Sequence, residues 1–258
     1  MMRAYRRVMH RFLSFRSPFA AILVGLLTVG SLVGVIAPRS AMAVEPVPKS
    51  CPEQETQVAV FNDGRRGAQI TVYAAPSSAA KPVARIKAGI NTFGRVVFRL
   101  LGTEGDFYKV MAPARPNGLT GYIQKSLATT YATPYSVEIS LSAKTLRVKE
   151  CGAELFSAAV AVGKTKTPTP TGSFFLVDLL RPKGGSNGAY GPFAFGLSGY
   201  SKVLQKFGAG DGRVGIHGTN QPSLIGTAVS SGCIRIDNAT ITKMADTLFL
   251  GSPVTITP

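Results

Sequence analysis

Two side chains in the last third of the chain, His217 and Cys233, have the types and the spacing for nucleophilic chemistry. They stand in Ile216-His217-Gly218-Thr219-Asn220 and in Ser230-Ser231-Gly232-Cys233-Ile234-Arg235, 16 residues apart. A thiol becomes a strong nucleophile when an imidazole takes its proton, and the thiolate–imidazolium ion pair then persists near neutral pH. Such a pair suits acyl transfer, in which the thiolate attacks an amide carbonyl and a thioester forms. Flanking glycines let a substrate approach the main chain closely, and turn N–H groups can face an oxyanion. The plainer reading of the same residues is a small buried thiol and a core or surface imidazole. Spacing alone does not choose between the two.

The start of the chain bears on that choice. Residues 1–16 carry Arg3, Arg6, Arg7, Arg11 and Arg16 and no acid, residues 17–38 carry no charge, and Arg39 and Ala41-Met42-Ala43 come next. A basic start, an apolar run and an A-x-A ending predict a secretory signal peptide over residues 1–43, cleaved after Ala43. The alternative is an uncleaved anchor, since 22 uncharged residues are enough to cross a bilayer. Both readings export residues 44–258 to the cell wall or the extracytoplasmic space, secreted or membrane-anchored, and membrane contact is confined to residues 17–38 if they are retained. His10 leaves with the signal, so His217 is the single mature histidine beside Cys51, Cys151 and Cys233. One His without clustered cysteines cannot supply the three or four ligands of a zinc site, so no metal is expected. In an oxidising compartment three cysteines leave one unpaired. A Cys51–Cys151 disulfide would pin the lead-in onto the later part of the chain and leave Cys233 free; the alternative is two unpaired thiols.

Residues 1–43 hold six Arg and no acid, so the remaining 215 residues keep 23 basic and 13 acidic residues, a net charge of +10. An exported protein this basic is suited to meet anionic wall polymers, carboxylate-rich peptidoglycan or anionic lipid. Nucleic acid is not an expected partner, because no basic helix, zinc spacing or basic-aromatic motif is present.

These residues need elements to hold them. A content of 45% hydrophobic and 16% charged residues excludes a disordered chain. The 28 Gly and 17 Pro spread along it would interrupt a helical bundle and point to a mainly β fold. Residues 44–57 read as a linker. From 58 to 131, short β-rich runs such as Gln69–Tyr73, Arg95–Leu101 and Asp106–Val110 alternate with turn residues, which predicts a small barrel of about five strands. The run Val72-Tyr73-Ala74-Ala75-Pro76, then Phe107-Tyr108-Lys109-Val110, then Arg115-Pro116-Asn117-Gly118-Leu119-Thr120-Gly121-Tyr122-Ile123, resembles a bacterial SH3-like domain. After a short boundary at 131–134, a second domain spans 135–258. It opens on strict alternation, with Val137, Ile139 and Leu141 on one face, then strands carrying Leu146 and Val148, then Ala158, Val160 and Val162, then Phe174–Leu179. Residues 182–191 are a Gly-rich loop. Residues 239–248 are the one helical stretch, with Asn238 as its cap.

With these elements in place, His217-Gly218-Thr219-Asn220 and the later Ser230-Ser231-Gly232-Cys233-Ile234-Arg235 together resemble the signature of the L,D-transpeptidase catalytic domain. The run Thr167 to Phe174 is similar to that family's T-P-x-G-x-F strand entry, Gly188-Ala189-Tyr190-Gly191-Pro192 to its flap, and Gly251 to Ile256 to its closing strand. The resemblance implies a β-sandwich with one short helix behind the SH3-like barrel. It implies Cys233 as nucleophile and His217 as the group that takes the thiol proton and returns it to the leaving amine. It implies the Gly218 carbonyl as the group that orients the imidazole, with no Asp or Asn third member required, and the N–H groups of Ser231, Gly232 and Cys233 as oxyanion donors. Tyr190 and Arg235 become candidates for substrate binding, Arg235 through a substrate carboxylate or, alternatively, serving in a structural ion pair. The family's second His is Ser231 here, and the acid that often comes after its Asn is Thr240.

The reaction so implied is 3→3 peptidoglycan crosslinking. Cys233 acylates on a tetrapeptide stem, D-Ala leaves, and the amine of a neighbouring stem takes the acyl group, with stem peptides as the partners and no cofactor. Two alternatives are an L,D-carboxypeptidase, in which water takes the acyl group, and a non-catalytic wall-binding protein.

Overall fold

The computed structural model describes residues 51–88, 95–206 and 210–258. The expected signal peptide or anchor and the first seven linker residues lie outside them. Strands dominate, as expected of a mainly β chain.

The first seven strands are β1 (Thr56–Phe61), β2 (Gln69–Tyr73), β3 (Pro82–Lys87), β4 (Val97–Glu104), β5 (Phe107–Met111), β6 (Thr120–Gln124) and β7 (Ala128–Thr133). They form one sheet in the order β3-β2-β6-β5-β4-β1-β7. Ile70, Val72, Phe98, Val110 and Ile123 are buried in its core; on β2 and β6 the alternate residues are more exposed. The boundary placed at 131–134 is narrower than expected. Residues 131–133 belong to β7, which pairs with β1 from Thr56↔Thr133 to Phe61↔Ala128, and only Pro134 separates β7 from the next strand.

The remaining strands are β8 (Tyr135–Ser140), β9 (Thr145–Glu150), β10 (Ala153–Ala159), β11 (Val162–Gly163), β12 (Gly172–Leu180), β13 (Ala194–Tyr200), β14 (Arg213–His217), β15 (Ala228–Ser230), β16 (Ile234–Arg235) and β17 (Pro253–Thr257). Eight of them run in the order β10-β9-β8-β17-β12-β13-β14-β16, and β11 pairs with β15. The turn between β9 and β10 is tight because Cys151 and Gly152 both take positive φ, 49° and 75°, as a two-residue hairpin turn requires. Its Cys151 is bonded to Cys51, which decides the cysteine pairing and leaves Cys233 as a free thiol.

β12 is the hinge of the domain. Gly172–Phe175 pair with β17, and Leu176 to Leu180 pair with β13 across an irregularity between Leu176 and Asp178. Phe174 to Leu179 are buried without alternation, because both faces of this strand meet other layers. The two halves it joins enclose Leu146, Val148, Phe195, Leu197, Ile216 and Ile234, giving the sandwich its core.

The single α-helix among the described residues is α1 (Asn238–Thr247), which buries Ile241, Met244 and Ala245. Its cap differs from expectation. Asp237 accepts the Thr240 N–H at 2.8 Å and is the N-cap, while Asn238 is the first helical residue.

Candidate active site

β14 ends on His217 and lies parallel to β16, with Ile216 opposite Ile234 and His217 opposite Arg235. Continuing that register by one residue sets Gly215 beside Cys233. The thiol accordingly takes a hydrogen bond from the Gly215 main chain. Side chains alternate along a strand, so positions 215 and 217 share a face with positions 233 and 235. The 16-residue spacing therefore closes on itself: His217 ends β14, and Cys233 stands immediately before its neighbour β16.

His217 is 5% exposed. Its Nδ1 lies 2.6 Å from the Gly218 carbonyl oxygen. A carbonyl only accepts, so Nδ1 carries the proton and Nε2 presents a lone pair. Tyr190 from the Gly-rich loop lies against the imidazole, ring centroids 4.6 Å apart. Burial drives the His217 pKa down to about 4; the Gly218 carbonyl opposes that, and the Arg235 charge adds to it. Burial likewise pushes the Cys233 thiol up, against the Gly215 hydrogen bond and the Arg235 charge. Burial thus works against both charged forms, the thiolate of Cys233 and the imidazolium of His217.

The loop that carries Cys233 is held by hydroxyl groups. Ser230 Oγ accepts the Gly232 N–H at 3.0 Å and donates to the Cys233 carbonyl at 2.5 Å. Thr169 Oγ1 accepts the Gly163 N–H and donates to the Gly232 carbonyl, both at 2.9 Å. Thr167 Oγ1 and the Lys164 N–H both donate to the Ser230 carbonyl. One of the three expected oxyanion donors, Gly232, therefore has its N–H engaged by Ser230. Because a trans peptide points its N–H opposite to its carbonyl, pinning the Ser230 and Gly232 carbonyls turns the N–H groups of Ser231 and Cys233 the other way. Ser231, where the family has its second His, is exposed.

Arg235 has no carboxylate within ion-pair distance among the described residues. Its Nε is buried without a partner, and Nη1 reaches only Gln221 Oε1 at 3.5 Å. That leaves its guanidinium available to a substrate carboxylate and removes the ion-pair alternative within the described region.

The Gly-rich loop is tied to the site. Asn238 Nδ2 donates to the Ser186 carbonyl at 3.1 Å and Asn220 Nδ2 to the Asn187 carbonyl at 3.4 Å. These residues, with Thr219 and Pro222, line a cavity of about 600 Å³ beside the imidazole loop. Asn238, Ser230 and Thr169 are site residues that sequence reasoning does not single out. In sequence Asn238 reads as a helix cap, and the other two lie inside recognised motifs without a role.

A family model described as the L,D-transpeptidase catalytic domain, YkuD, matches residues 134–256. The chain is 36% identical over 147 residues to a Bacillus subtilis protein named as the L,D-transpeptidase YkuD, covering 56% of this chain and 80% of that one. A Bacillus licheniformis protein of the same name is 39% identical over 125 residues, 48% of this chain and 67% of its own length. A crystal structure of an L,D-transpeptidase from Mycobacterium tuberculosis is 15% identical, covers 75% of this chain and 95% of its own, and has a TM-score of 0.43. On the family model and the Bacillus relatives, the chain belongs to the L,D-transpeptidase family.

Proposed function

We propose that this chain is an exported, cysteine-dependent L,D-transpeptidase that forms 3→3 crosslinks between peptidoglycan stems. Cys233 Sγ loses its proton to His217 Nε2 and attacks the carbonyl of the third residue of a tetrapeptide stem. The tetrahedral oxyanion rests on the N–H groups of Cys233 and Ser231. Collapse breaks the bond to the terminal D-Ala, whose nitrogen takes the proton from His217 as it leaves. The side-chain amine of a neighbouring stem then attacks the thioester, giving its proton to His217 and releasing the thiol. Arg235 is placed to meet a substrate carboxylate, and Tyr190 forms part of the wall above the imidazole.

The observation that carries this reading is the Nδ1–H to Gly218 carbonyl contact. It fixes the tautomer whose other nitrogen is a base, on the sheet face that also bears the free thiol. The SH3-like identity of residues 58–131 rests on sequence resemblance, and we assign that segment the part of presenting the catalytic domain to the wall. The net charge of +10 after residue 43 suits polyanionic surroundings.

The test incubates the chain lacking residues 1–43 with a tetrapeptide-stem fragment, beside a Cys233→Ala variant. The expected products are released D-Ala and crosslinked dimer for the first and neither for the second. D-Ala without dimer, in the presence of an acceptor amine, would make the enzyme a carboxypeptidase. Equal release from both proteins would remove Cys233 from the chemistry.

A further inference from the structure

The helix α1 begins beside the imidazole, and its first residue is not used for capping. Asp237 does that work, which leaves the Asn238 carboxamide for other partners. Asn238 Oδ1 accepts the Thr219 N–H at 2.9 Å, and Nδ2 donates to the Ser186 carbonyl at 3.1 Å. Both partners are main-chain groups of fixed polarity, so the carboxamide has one possible orientation. The Thr219 N–H belongs to the same planar peptide group as the Gly218 carbonyl. That carbonyl is the one that holds His217 Nδ1–H. A single peptide group therefore stands between the Asn238 carboxamide and the imidazole, donating at one end and accepting at the other.

We propose that Asn238 is a positioning residue that acts on His217 through the Gly218–Thr219 peptide group. Where other catalytic arrays set a side-chain carboxylate or carboxamide directly on the imidazole, here a carboxamide reaches it one peptide away. Hydrogen bonds in a chain polarise one another. Accepting the Thr219 N–H makes the Gly218 carbonyl a better acceptor, which holds the proton on Nδ1, keeps the Nε2 lone pair for the thiol, and stabilises the imidazolium once the proton has arrived. Thr219 is 3% exposed and His217 5%.

The local packing is built around this contact. A Cβ at Gly218 or at Gly191 would overlap Asn238 Oδ1, and one at Gly191 would also lie 2.6 Å from the Gly218 Cα. Gly191 also takes φ 64°, the left-handed region. The glycines of the His-Gly and Tyr-Gly-Pro motifs thus leave the space that the carboxamide occupies. The bond to Ser186 ties the Gly-rich loop to the same side chain.

The proposal rests on His217 acting as the base in acyl transfer, and its test separates the two. The full-length chain is labelled with 15N-histidine, which marks only His10 and His217, and Asn238→Ala and Asn238→Asp are compared with it. Asp keeps an oxygen for the Thr219 N–H and gives up the donor to Ser186. For Asn238→Ala we expect kcat for D-Ala release to fall about five- to tenfold with KM within about twofold, and the His217 15N signals to leave the Nδ1–H pattern. Asn238→Asp restores that pattern and about half or more of kcat. Unchanged 15N signals in Asn238→Ala, a change in KM alone, or an Asp variant that has lost both the pattern and kcat would overturn the proposal. Asn238→Asp decides it even where the Ala variant does not fold. An unsubstituted chain that releases no D-Ala defeats the transpeptidase reading, and the 15N signals still decide the role of Asn238.

Discussion

Burial sets the protonation of His217 against its surroundings, and that has a consequence for folding. In the unfolded chain the imidazole titrates near its ordinary value of 6.5; in the fold it titrates at about 4, burial being the main cause. Between those values the unfolded state binds a proton that the folded state refuses, so stability is intact above pH 6.5 and is lost as pH falls toward 4. At about 1.4 kcal/mol per tenfold change in protonation, the loss is on the order of 3 kcal/mol. Urea unfolding at pH 7 and pH 4 checks it: wild type should lose about that much more than His217→Gln, which shares every carboxylate but lacks the imidazole. Equal losses would show that the imidazole charges as readily inside the fold as outside. At this scale the sequence disclosed what residue types disclose. A thiol and, past residue 43, a lone imidazole, each beside a glycine, are visible as letters. Asn238, Ser230 and Thr169 act through main-chain groups up to 52, 3 and 63 residues away. A hydrogen bond to a carbonyl has no signature in the residue that supplies the carbonyl, so these roles needed coordinates.

Among the elements, the loop from β15 to β16 shows how a short segment is held for chemistry. Its carbonyls at Ser230, Gly232 and Cys233 are each bonded inward, by Thr167, Thr169 and Ser230. Thr169 comes from the strand entry before β12, and its hydroxyl joins the Gly163 N–H to the Gly232 carbonyl. Thr169→Val keeps the shape and removes the hydroxyl, leaving both main-chain groups buried without that partner, at about 1–3 kcal/mol. The peptide that carries the Cys233 N–H is then free to turn, and acylation by the stem fragment should slow by about tenfold or more, as loss of an oxyanion donor would slow it. Alkylation of Cys233 by iodoacetamide passes through no oxyanion and should keep its rate; Thr169→Ser should restore acylation. Parallel losses in both reactions would instead mean that Thr169 serves only stability. The elements themselves were legible where one face meets water. β8 and β9 alternate, with Val137, Ile139, Leu146 and Val148 buried and their neighbours less so. β7 was not legible, since Ala128–Thr133 carries no such pattern and owes its pairing to β1.

At the scale of the whole chain, the two sheets are less separable than the sequence suggested. Val58, Val60 and Val97 come from the first sheet, yet they are buried in the same core cluster as the sandwich. Val58 packs against Gly251 closely enough that any side chain there would collide with it. Tyr131 donates to the Leu250 carbonyl, Thr133 Oγ1 and Ser252 Oγ lie 3.0 Å apart, and Tyr200 donates to the Pro113 carbonyl at 2.9 Å. Asn117 both accepts from the Tyr200 N–H and donates to its carbonyl, and Arg115 reaches the carbonyls of Ser201, Leu204 and Asp211. Cys51–Cys151 closes the same junction from the other end, across 100 residues of sequence. Exposing three buried valines costs about 5 kcal/mol, and the fragment also loses the side-chain bonds across this junction. Native stability is itself only about 5–15 kcal/mol. A fragment of residues 135–258, which contains His217, Cys233 and all but the first residue of the family match, should therefore fold marginally or not at all. Its circular-dichroism melt, set beside that of residues 51–258, measures this directly. A fragment that melts within about 5 °C of the longer chain, a shift of roughly 1 kcal/mol, would mean that the first sheet is an attachment to the sandwich and not part of what holds it together.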